Sequence, residues 1–217
     1  MTPKRSVGGI HVLIDPGRVP AARLDHFLGE IAEGGARVVQ VRVKGGPDPE
    51  GLAYTARAVA RVRALGLVSI VNDRVDWAVT VGADGVHLGQ DDTPLAEARR
   101  AGPPDFILGA SAGSPAELEA ALRGGADYVG VGPVYATPSK ADAGPPLTPT
   151  GLAALVAQLR DHPNPPPAIA IGGIHPGNAA AVWRTGVDGL AVIHAVSEAR
   201  DPQSAVRALL AAQSESR

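Results

Sequence analysis

The feature that most constrains the fold of this chain is a regular alternation of short apolar runs with longer amphipathic segments. Runs such as IHVLID and VSIVND are rich in Val and Ile, and segments such as EGLAYTARAVARVRALG have a helical period. The alternation predicts eight strands and eight helices, or about 27 residues per unit in a chain of 217 residues. That spacing is typical of a (β/α)8 barrel of roughly 200 to 250 residues. We therefore predict one TIM-barrel domain over residues 1–217, with its core at about residues 10–212.

A weak internal repeat supports the barrel. The segments EGGARVVQVR, VGADGVHLGQ, RGGADYVGVGP and RTGVDGLAVIH each place a glycine at a helix end and a strand a few residues later. An aromatic content of 3% indicates a core of small and branched aliphatic side chains, which suits buried parallel strands. An open doubly wound sheet remains an alternative, because alternation alone does not establish closure.

Charge and composition narrow the class of partner. The net charge is -2, with 20 basic and 22 acidic residues mixed along the chain, so no basic face is expected to bind nucleic acid or an anionic membrane. No apolar run reaches the ~18 residues of a membrane span. The chain has no cysteine, which excludes disulfides, thiolate metal sites and a cysteine nucleophile. We expect a cytoplasmic protein, monomer or homodimer, that binds small molecules.

In a (β/α)8 barrel the loops that follow the strands form the active site. Polar residues at these strand ends are therefore the candidate site residues. They are Asp15, Gln40, Arg42, Lys44, Asn72, Asp73, Arg74, His87, Gln90, Asp91, Asp92, Ser111, Thr137, Ser139, Lys140, Gly172, Gly173 and His194. No serine nucleophile elbow, zinc-binding histidine pair or dinucleotide glycine motif is present.

The second strand ends in QVRVK. Strand alternation places Gln40, Arg42 and Lys44 on one side of that strand. One amide and two cations on one face favour binding of a phosphate chain. A solvated strand end is the simpler alternative.

Carboxylates follow the third and fourth strands, in NDR and QDD. Asp73 and Asp92 are predicted to converge, and Mg²⁺ binds through one or two carboxylates together with phosphate oxygens of a substrate. We expect Asp91 to face solvent and Gln90 to pack or hydrogen-bond at the mouth. The alternative is that Asp73 and Asp92 cap the helices that follow them.

Two further segments are typical of phosphate sites and lids. AIGGI and AVIHAV end the seventh and eighth strands, where barrels often bind phosphate with backbone N–H groups. The segment ATPSKADAGPPLTPTG is a long Pro- and Gly-rich connection that contains Lys140, and it is predicted to be a lid that orders on substrate binding.

Taken together, QVRVK, VNDRVDWA, ADGVHLGQDD, ADYVGVGPVYATPSK, AIGGI and AVIHAV resemble the thiamine phosphate synthase family, from about residue 10 to residue 210. The resemblance implies a transferase of thiamine biosynthesis that uses Mg²⁺. The enzyme would join hydroxymethylpyrimidine diphosphate to thiazole phosphate and release diphosphate. It also implies a dissociative reaction, in which diphosphate departs before the thiazole nitrogen attacks.

The resemblance assigns roles to the matching residues. Asp73 and Asp92 would bind Mg²⁺, and Arg42, Lys44 and Lys140 would stabilise charge during catalysis. The other assignments are two groups of substrate ligands. The pyrimidine diphosphate would contact Gln40, Arg42, Lys44, Asn72, Ser111 and Lys140, and the thiazole phosphate would contact Thr137, Ser139, Gly173, Ile193 and His194.

The sequence departs from the family pattern at three positions. Gly113 stands where the family usually has histidine, Ser139 where it tends to have threonine, and His194 where serine is common. Two alternatives therefore stay open. One is a thiazole tautomerase, which would need a histidine near position 113 for acid/base chemistry, and the other is a non-catalytic barrel that binds phosphorylated ligands.

Overall fold

The computed structural model describes residues 5–44, 48–137 and 144–214. Eight parallel strands close into a barrel in the order β1 to β8, with β8 pairing back to β1. The strands are β1 Gly9–Ile14, β2 Val38–Val41, β3 Val68–Asn72, β4 Gly85–Leu88, β5 Ile107–Ala112, β6 Tyr128–Val131, β7 Ala168–Ile171 and β8 Gly189–Val192. The closed ring confirms the predicted TIM barrel and excludes the open sheet.

Helices cover the outside of the barrel. They are α1 Ala21–Gly34, α2 Pro49–Ala64, α3 Val75–Thr80, α4 Leu95–Ala101, α5 Pro115–Arg123, α6 Thr148–Arg160, α7 Pro176–Trp183, α8 His194–Ser197 and α9 Pro202–Ser214. Within the described residues, no helix combines the length and the apolar character that crossing a membrane requires.

Alternation along each strand divides the apolar core into two layers. Outward side chains such as Val12 and Ile14 pack against the helices in the largest cluster of buried residues. Inward side chains fill the barrel interior, where they form a separate cluster that includes Leu13, Ile70 and Tyr128. The interior is therefore a packed core, and its polar groups at the strand ends define a mouth.

Aspartates that directly precede three strands connect neighbouring strands at the amino-terminal end of the barrel, opposite the mouth. Asp127 accepts a hydrogen bond from the Leu108 N–H at 2.8 Å and pairs with Arg99 at 2.6 Å. Asp84 accepts from the Ser69 N–H at 2.8 Å, and Asp188 accepts from the Ala168 N–H at 2.7 Å. These aspartates are the acidic residues of the repeated GAD, GGAD and GVD segments. The repeat therefore reflects a structural requirement, because each aspartate joins two neighbouring strands.

Some element boundaries differ from those predicted. β2 ends at Val41, so Arg42 and Lys44 follow the strand instead of extending it. The eighth strand ends at Val192 and a four-residue helix, α8, begins at His194, where the pattern predicted continued strand. The long connection after β6 is shorter than predicted, because α6 already begins at Thr148.

Candidate active site

The most unusual electrostatic feature of the mouth is a pair of neighbouring carboxylates, Asp73 after β3 and Asp92 after β4. Asp73 is an exposed residue at the end of β3, but its carboxyl group is partly buried. Lost hydration there, followed by the charge and hydrogen bonding of Asp92, raises the pKa of Asp73 to about 6, while Arg42 and Asn72 act in the opposite direction. A carboxylate whose pKa is raised by a neighbouring carboxylate marks a site suited to a cation.

Backbone geometry fixes both carboxylates. Asp73 has a positive φ of 63°, a left-handed conformation that aspartate tolerates better than most residues. Its N–H donates to the His87 carbonyl at 2.8 Å, which ties the β3 loop to β4. Asp92 accepts a hydrogen bond from the Gly89 N–H at 2.7 Å through Oδ2. The backbone of Asp73 is therefore tied to β4, and the carboxylate of Asp92 is held within its own loop.

The helix-cap alternative does not describe these aspartates. The N-cap residue of α3 is Arg74 and that of α4 is Pro94, and neither makes a side-chain capping hydrogen bond. Arg74 instead pairs with Asp76 at 2.7 Å and stacks over Trp77. The carboxyl groups of Asp73 and Asp92 instead contact each other, while the neighbouring Asp91 is exposed.

The three polar residues at the end of β2 have different environments. Gln40 points into the barrel and is only 4% exposed. Arg42 is half-buried and lies near enough to Asp73 to oppose the rise in its pKa. Lys44 is exposed. Gln40 and Arg42 therefore belong to the mouth, and Lys44 lies at its rim.

A chain of side chains crosses the barrel interior from β6 to β5. The Tyr128 hydroxyl lies 3.0 Å from His87 Nδ1, and His87 Nε2 lies 3.0 Å from the Ser111 hydroxyl. Gln90 adds a hydrogen bond from its amide to the Ser111 carbonyl at 2.9 Å. Burial and the lost hydration of Tyr128 raise the pKa of its phenol well above the usual range. Ser111 is thus held at the mouth by a group that reaches deep into the barrel.

Two glycines make room for this chain. A Cβ on Gly109 would lie 2.4 Å from the Tyr128 hydroxyl and 2.5 Å from His87 Nδ1. A Cβ on Gly130 would lie 3.0 Å from His87 Cε1. The glycines of ILGAS and YVGVG are therefore steric requirements of a buried tyrosine and histidine.

The loop after β7 is shaped by close backbone approach. Gly173 has a φ of 62°, and a Cβ there would lie 2.8 Å from the Ala136 carbonyl oxygen. The Asn178 amide donates to the Gly173 carbonyl at 2.9 Å and fixes the loop at the start of α7. Thr137 is half-buried in the connection beside this loop. Ser139 and Lys140 lie outside the described residues.

At the seam where β1 meets β8, a charged group joins the first and last loops of the mouth. Arg18 Nη1 donates to Asp15 Oδ2 at 2.7 Å, and Arg18 Nη2 lies 2.9 Å from His194 Nε2. Ile193 is the N-cap residue of α8, and His194 is its first residue. The loop predicted to bind a phosphate is thus attached to the β1 loop.

Sequence reasoning found most, but not all, of the residues around the mouth. The structure groups Asn72, Asp73, Asp92 and Arg42 on one side, and Ser111 with Gln90 beside them. Arg18 and Tyr128 were missed, because Arg18 lies four residues beyond the end of β1 and Tyr128 is the first residue of β6. The sequence did contain a signal for the interior chain. Tyr128 and Gly130 alternate on one face of β6, and Gly109 lies on the neighbouring β5, so a large side chain is matched with two positions that lack one.

The fold and the mouth define a class: a (β/α)8 barrel whose strand ends gather paired carboxylates, an arginine, amides and glycine-rich loops, as in barrels that act on phosphorylated small molecules. The family model of thiamine monophosphate synthase matches residues 10–196. The chain belongs to the thiamine monophosphate synthase family and is a transferase.

Individual relatives agree with the family match. The thiamine-phosphate synthase of Anaeromyxobacter dehalogenans is 45% identical over 206 residues, which cover 95% of this chain and 88% of that one. The thiamine biosynthesis bifunctional protein ThiM/ThiE of Symbiobacterium thermophilum is 48% identical over 88% of this chain, which spans only 39% of that longer protein. The structure of thiamine phosphate pyrophosphorylase from Pyrococcus furiosus has a TM-score of 0.81 and 35% identity, with 96% of each chain covered.

Proposed function

We propose that this protein catalyses Mg²⁺-dependent synthesis of thiamine phosphate from hydroxymethylpyrimidine diphosphate and thiazole phosphate. The observation that carries the proposal is the Asp73–Asp92 carboxylate pair beside Arg42 and Asn72, in a chain of this family. In the reaction a C–O bond to diphosphate breaks and a C–N bond to the thiazole nitrogen forms. The main chemical requirement is stabilisation of charge on the departing diphosphate.

The residues at the mouth fit a magnesium ion. Among the described residues, no three or more His, Cys, Asp or Glu side chains are grouped so as to hold a metal alone. Mg²⁺ characteristically takes one or two carboxylates and completes its coordination with phosphate oxygens and water. Asp73 and Asp92 would hold it, and when bound it would supply positive charge to the diphosphate oxygens.

The side chains of the protein itself have two tasks toward the pyrimidine diphosphate in the proposed reaction. Arg42 and Lys44 would supply cationic charge to the diphosphate, and Gln40, Asn72 and Ser111 would orient the pyrimidine diphosphate by hydrogen bonds. Lys140 has the same proposed task but lies outside the described residues.

The thiazole phosphate is assigned to the opposite side of the mouth. Backbone groups of Gly173, Ile193 and His194, together with Thr137, would hold its phosphate, and the proposal includes Ser139 from the segment outside the described residues. Support comes from the narrow glycine geometry at Gly173, where no side chain fits between the loop and Ala136. None of these residues acts as a nucleophile.

The tautomerase alternative has little structural support. A Cβ at Gly113 would lie 2.9 Å from the Gly132 carbonyl oxygen, and the Gly113 N–H is already bonded to Glu117 at 2.6 Å. A histidine side chain at this position would require the loop to move. The acid/base residue that the tautomerase needs is therefore absent, and its position is closed.

Incubation of the purified protein with both substrates and Mg²⁺ tests the proposal. We expect thiamine phosphate and diphosphate to form in equal amounts, as measured by chromatography and a diphosphate assay. A rearranged thiazole as the sole product would support the tautomerase, and thiazole phosphate binding without turnover would support the non-catalytic barrel.

We further propose that the protein acts in the cytoplasm, which its cysteine-free composition suits. We also propose that it is a monomer or homodimer of one barrel domain.

A further inference from the structure

A charged cluster closes the seam between the first and last βα units. Arg18 is anchored to Asp15 by two hydrogen bonds, from its backbone N–H at 3.0 Å and from Nη1 at 2.7 Å. Its other terminal nitrogen, Nη2, lies 2.9 Å from His194 Nε2, across a sequence separation of 176 residues. The arginine therefore connects the β1 loop to the first residue of α8.

The chemistry of the two side chains sets the direction of this contact. All arginine N–H groups are donors and the guanidinium has no acceptor. His194 Nε2 must therefore accept the hydrogen bond, and the ring proton lies on Nδ1. Arg18 thus determines both the orientation of the imidazole and its tautomer.

Arg18 also offsets negative charge at this place. Glu198 Oε1 lies 3.6 Å from Arg18 Nε and 3.7 Å from His194 Nε2, and Asp15 lies on the other side. Without the arginine, the carboxylates of Asp15 and Glu198 beside the Ile193–His194 loop would lose this cationic partner. An anionic phosphate approaching that loop would then be repelled.

We propose that Arg18 is a positioning residue for the thiazole phosphate: it holds His194 in place and neutralises Asp15 and Glu198 beside the phosphate loop. This inference rests on the proposed function, because it takes the Ile193–His194 loop as the phosphate site. Arg18 acts through other protein groups, since two of its three nitrogens are hydrogen-bonded to Asp15 and His194. His194, which departs from the usual serine, is the residue through which it acts.

Steady-state kinetics of Arg18→Met test the proposal. The substitution keeps an apolar stem of similar length and removes the charge and the donors. We expect the KM for thiazole phosphate to rise about tenfold, the size of effect of losing a charge-assisted hydrogen bond, while the KM for pyrimidine diphosphate and kcat stay within about twofold. An unchanged KM for thiazole phosphate would overturn the proposal.

Arg160→Met is a matched control. Arg160 pairs with Asp188 at 2.6 Å and its side chain is 37% exposed, compared with 33% for Arg18, but the pair lies at the opposite end of β8. Both variants are expected to lose some thermal stability, and only Arg18→Met is expected to change the KM for thiazole phosphate. The same KM increase in both variants would reduce Arg18 to a general structural role.

A second-site substitution separates electrostatics from folding. Adding Glu198→Gln to Arg18→Met removes one of the two unneutralised carboxylates, so part of the lost affinity for thiazole phosphate should return. Arg18→Lys keeps the charge but lacks the fork that bonds Asp15 and His194 together, and we expect it to lie between the wild type and Arg18→Met. A double variant no better than Arg18→Met would contradict the charge argument.

The His194 contact has a readout that does not depend on turnover. In ¹⁵N NMR spectra of histidine-labelled protein at neutral pH, His194 Nε2 is expected at the chemical shift of an unprotonated nitrogen, and Arg18→Met should change it. An Nε2–H tautomer in the wild type would overturn the proposed contact.

The proposed function and this inference can fail separately. If the wild type forms no thiamine phosphate, the proposed function fails. If the wild type is active and Arg18→Met has an unchanged KM for thiazole phosphate, only this inference is refuted.

Discussion

Among single residues, the two neighbouring aspartates of QDD have separate environments although they are adjacent in sequence. Asp92 is half-buried, bonded to the Gly89 N–H, and close to Asp73, whereas Asp91 is exposed. Adjacent residues in a turn project in different directions, so one carboxylate does not replace the other. Asp91 and Asp92 therefore allow a proposed Mg²⁺ ligand, Asp92, to be compared with an adjacent aspartate that has no proposed role.

We expect Asp92→Asn to raise the Mg²⁺ concentration needed for half-maximal activity by about tenfold or more, because a neutral amide coordinates Mg²⁺ weakly. Asparagine retains an oxygen that accepts the Gly89 hydrogen bond, so the melting temperature should change little. Asp91→Asn is the control and should leave the Mg²⁺ titration unchanged. Normal Mg²⁺ dependence of Asp92→Asn would exclude Asp92 as a metal ligand.

The interior chain from Tyr128 to Ser111 makes a second prediction at this scale. Tyr128→Phe removes the hydroxyl that contacts His87 Nδ1, and it should leave Ser111 less firmly held. We expect kcat to fall about tenfold, equivalent to about 1.4 kcal/mol of transition-state stabilisation. The measurement is kcat with both substrates saturating.

Tyr54→Phe is the matched control for that substitution. Tyr54 is also buried, and its hydroxyl donates to the Val19 carbonyl at 2.8 Å outside the barrel. Both variants lose a buried hydrogen bond and should lose stability, but only Tyr128→Phe should lower kcat. A Tyr128→Phe enzyme with wild-type kcat would show that the chain serves packing alone. The Ser111→Ala background gives a further check, since Tyr128→Phe should have less effect there.

At the scale of elements, the aspartates at the strand starts explain how βα units join. Each one bonds to a backbone N–H of the preceding strand and pairs with an arginine, as Asp127 does with Leu108 and Arg99. The contact is made between units, so it fixes the order and register of neighbouring strands. The sequence repeat that predicted the fold therefore also marks a hydrogen-bonded connection between neighbouring strands that recurs around the barrel.

Asp127→Ala should lower the free energy of unfolding by about 2 to 3 kcal/mol, because it leaves the Leu108 N–H without its acceptor and removes the charged partner of Arg99. Asp127→Asn should be intermediate, since it keeps an oxygen but loses the charge. Urea denaturation followed by circular dichroism measures both.

Asp25→Ala provides the comparison for a surface pair. Asp25 pairs with Arg57 at 2.7 Å between α1 and α2, and both side chains are about half exposed. Such exposed pairs stabilise proteins little. Equal losses of stability for Asp25→Ala and Asp127→Ala would contradict the role of Asp127 in joining β5 to β6.

For the molecule as a whole, one buried histidine links stability to pH. His11 is 1% exposed inside the barrel, and its Nε2 lies 2.6 Å from the Val7 carbonyl, to which it donates. Burial lowers the pKa of His11 from 6.5 to about 4, against a smaller opposite effect of the Val7 hydrogen bond. Between these pH values the unfolded chain binds a proton that the folded protein does not.

Stability contributed by neutral His11 is therefore present above about pH 6.5 and is lost as the pH falls to about 4, by about 3 kcal/mol in all. His11→Gln keeps a donor for the Val7 carbonyl and cannot titrate, so its unfolding free energy should depend less on pH in that range. Asp73 acts with the opposite sign, because its pKa is raised to about 6, and its effect cancels in the difference between the two proteins. Parallel pH curves of the wild type and His11→Gln would refute this linkage.

The sequence by itself determined the (β/α)8 class, since eight apolar runs separated by helical segments, joined by a repeated glycine, leave few ways to bury every strand. It also determined which loops carry polar residues, because strand ends are local features. Gln40, Asn72, Asp73, Asp92 and Ser111 were found in this way.

Only the tertiary structure decided which of those residues meet. The rise in the pKa of Asp73 depends on burial and on Asp92 from the next unit, the Tyr128–His87–Ser111 chain crosses three strands, and Arg18 reaches His194 at the far end of the sequence. Residues separated by up to 176 positions become neighbours because β8 pairs with β1 and closes the ring. Local patterns specify strands and loops, whereas closure, register and the direction of each side chain depend on packing across the whole barrel.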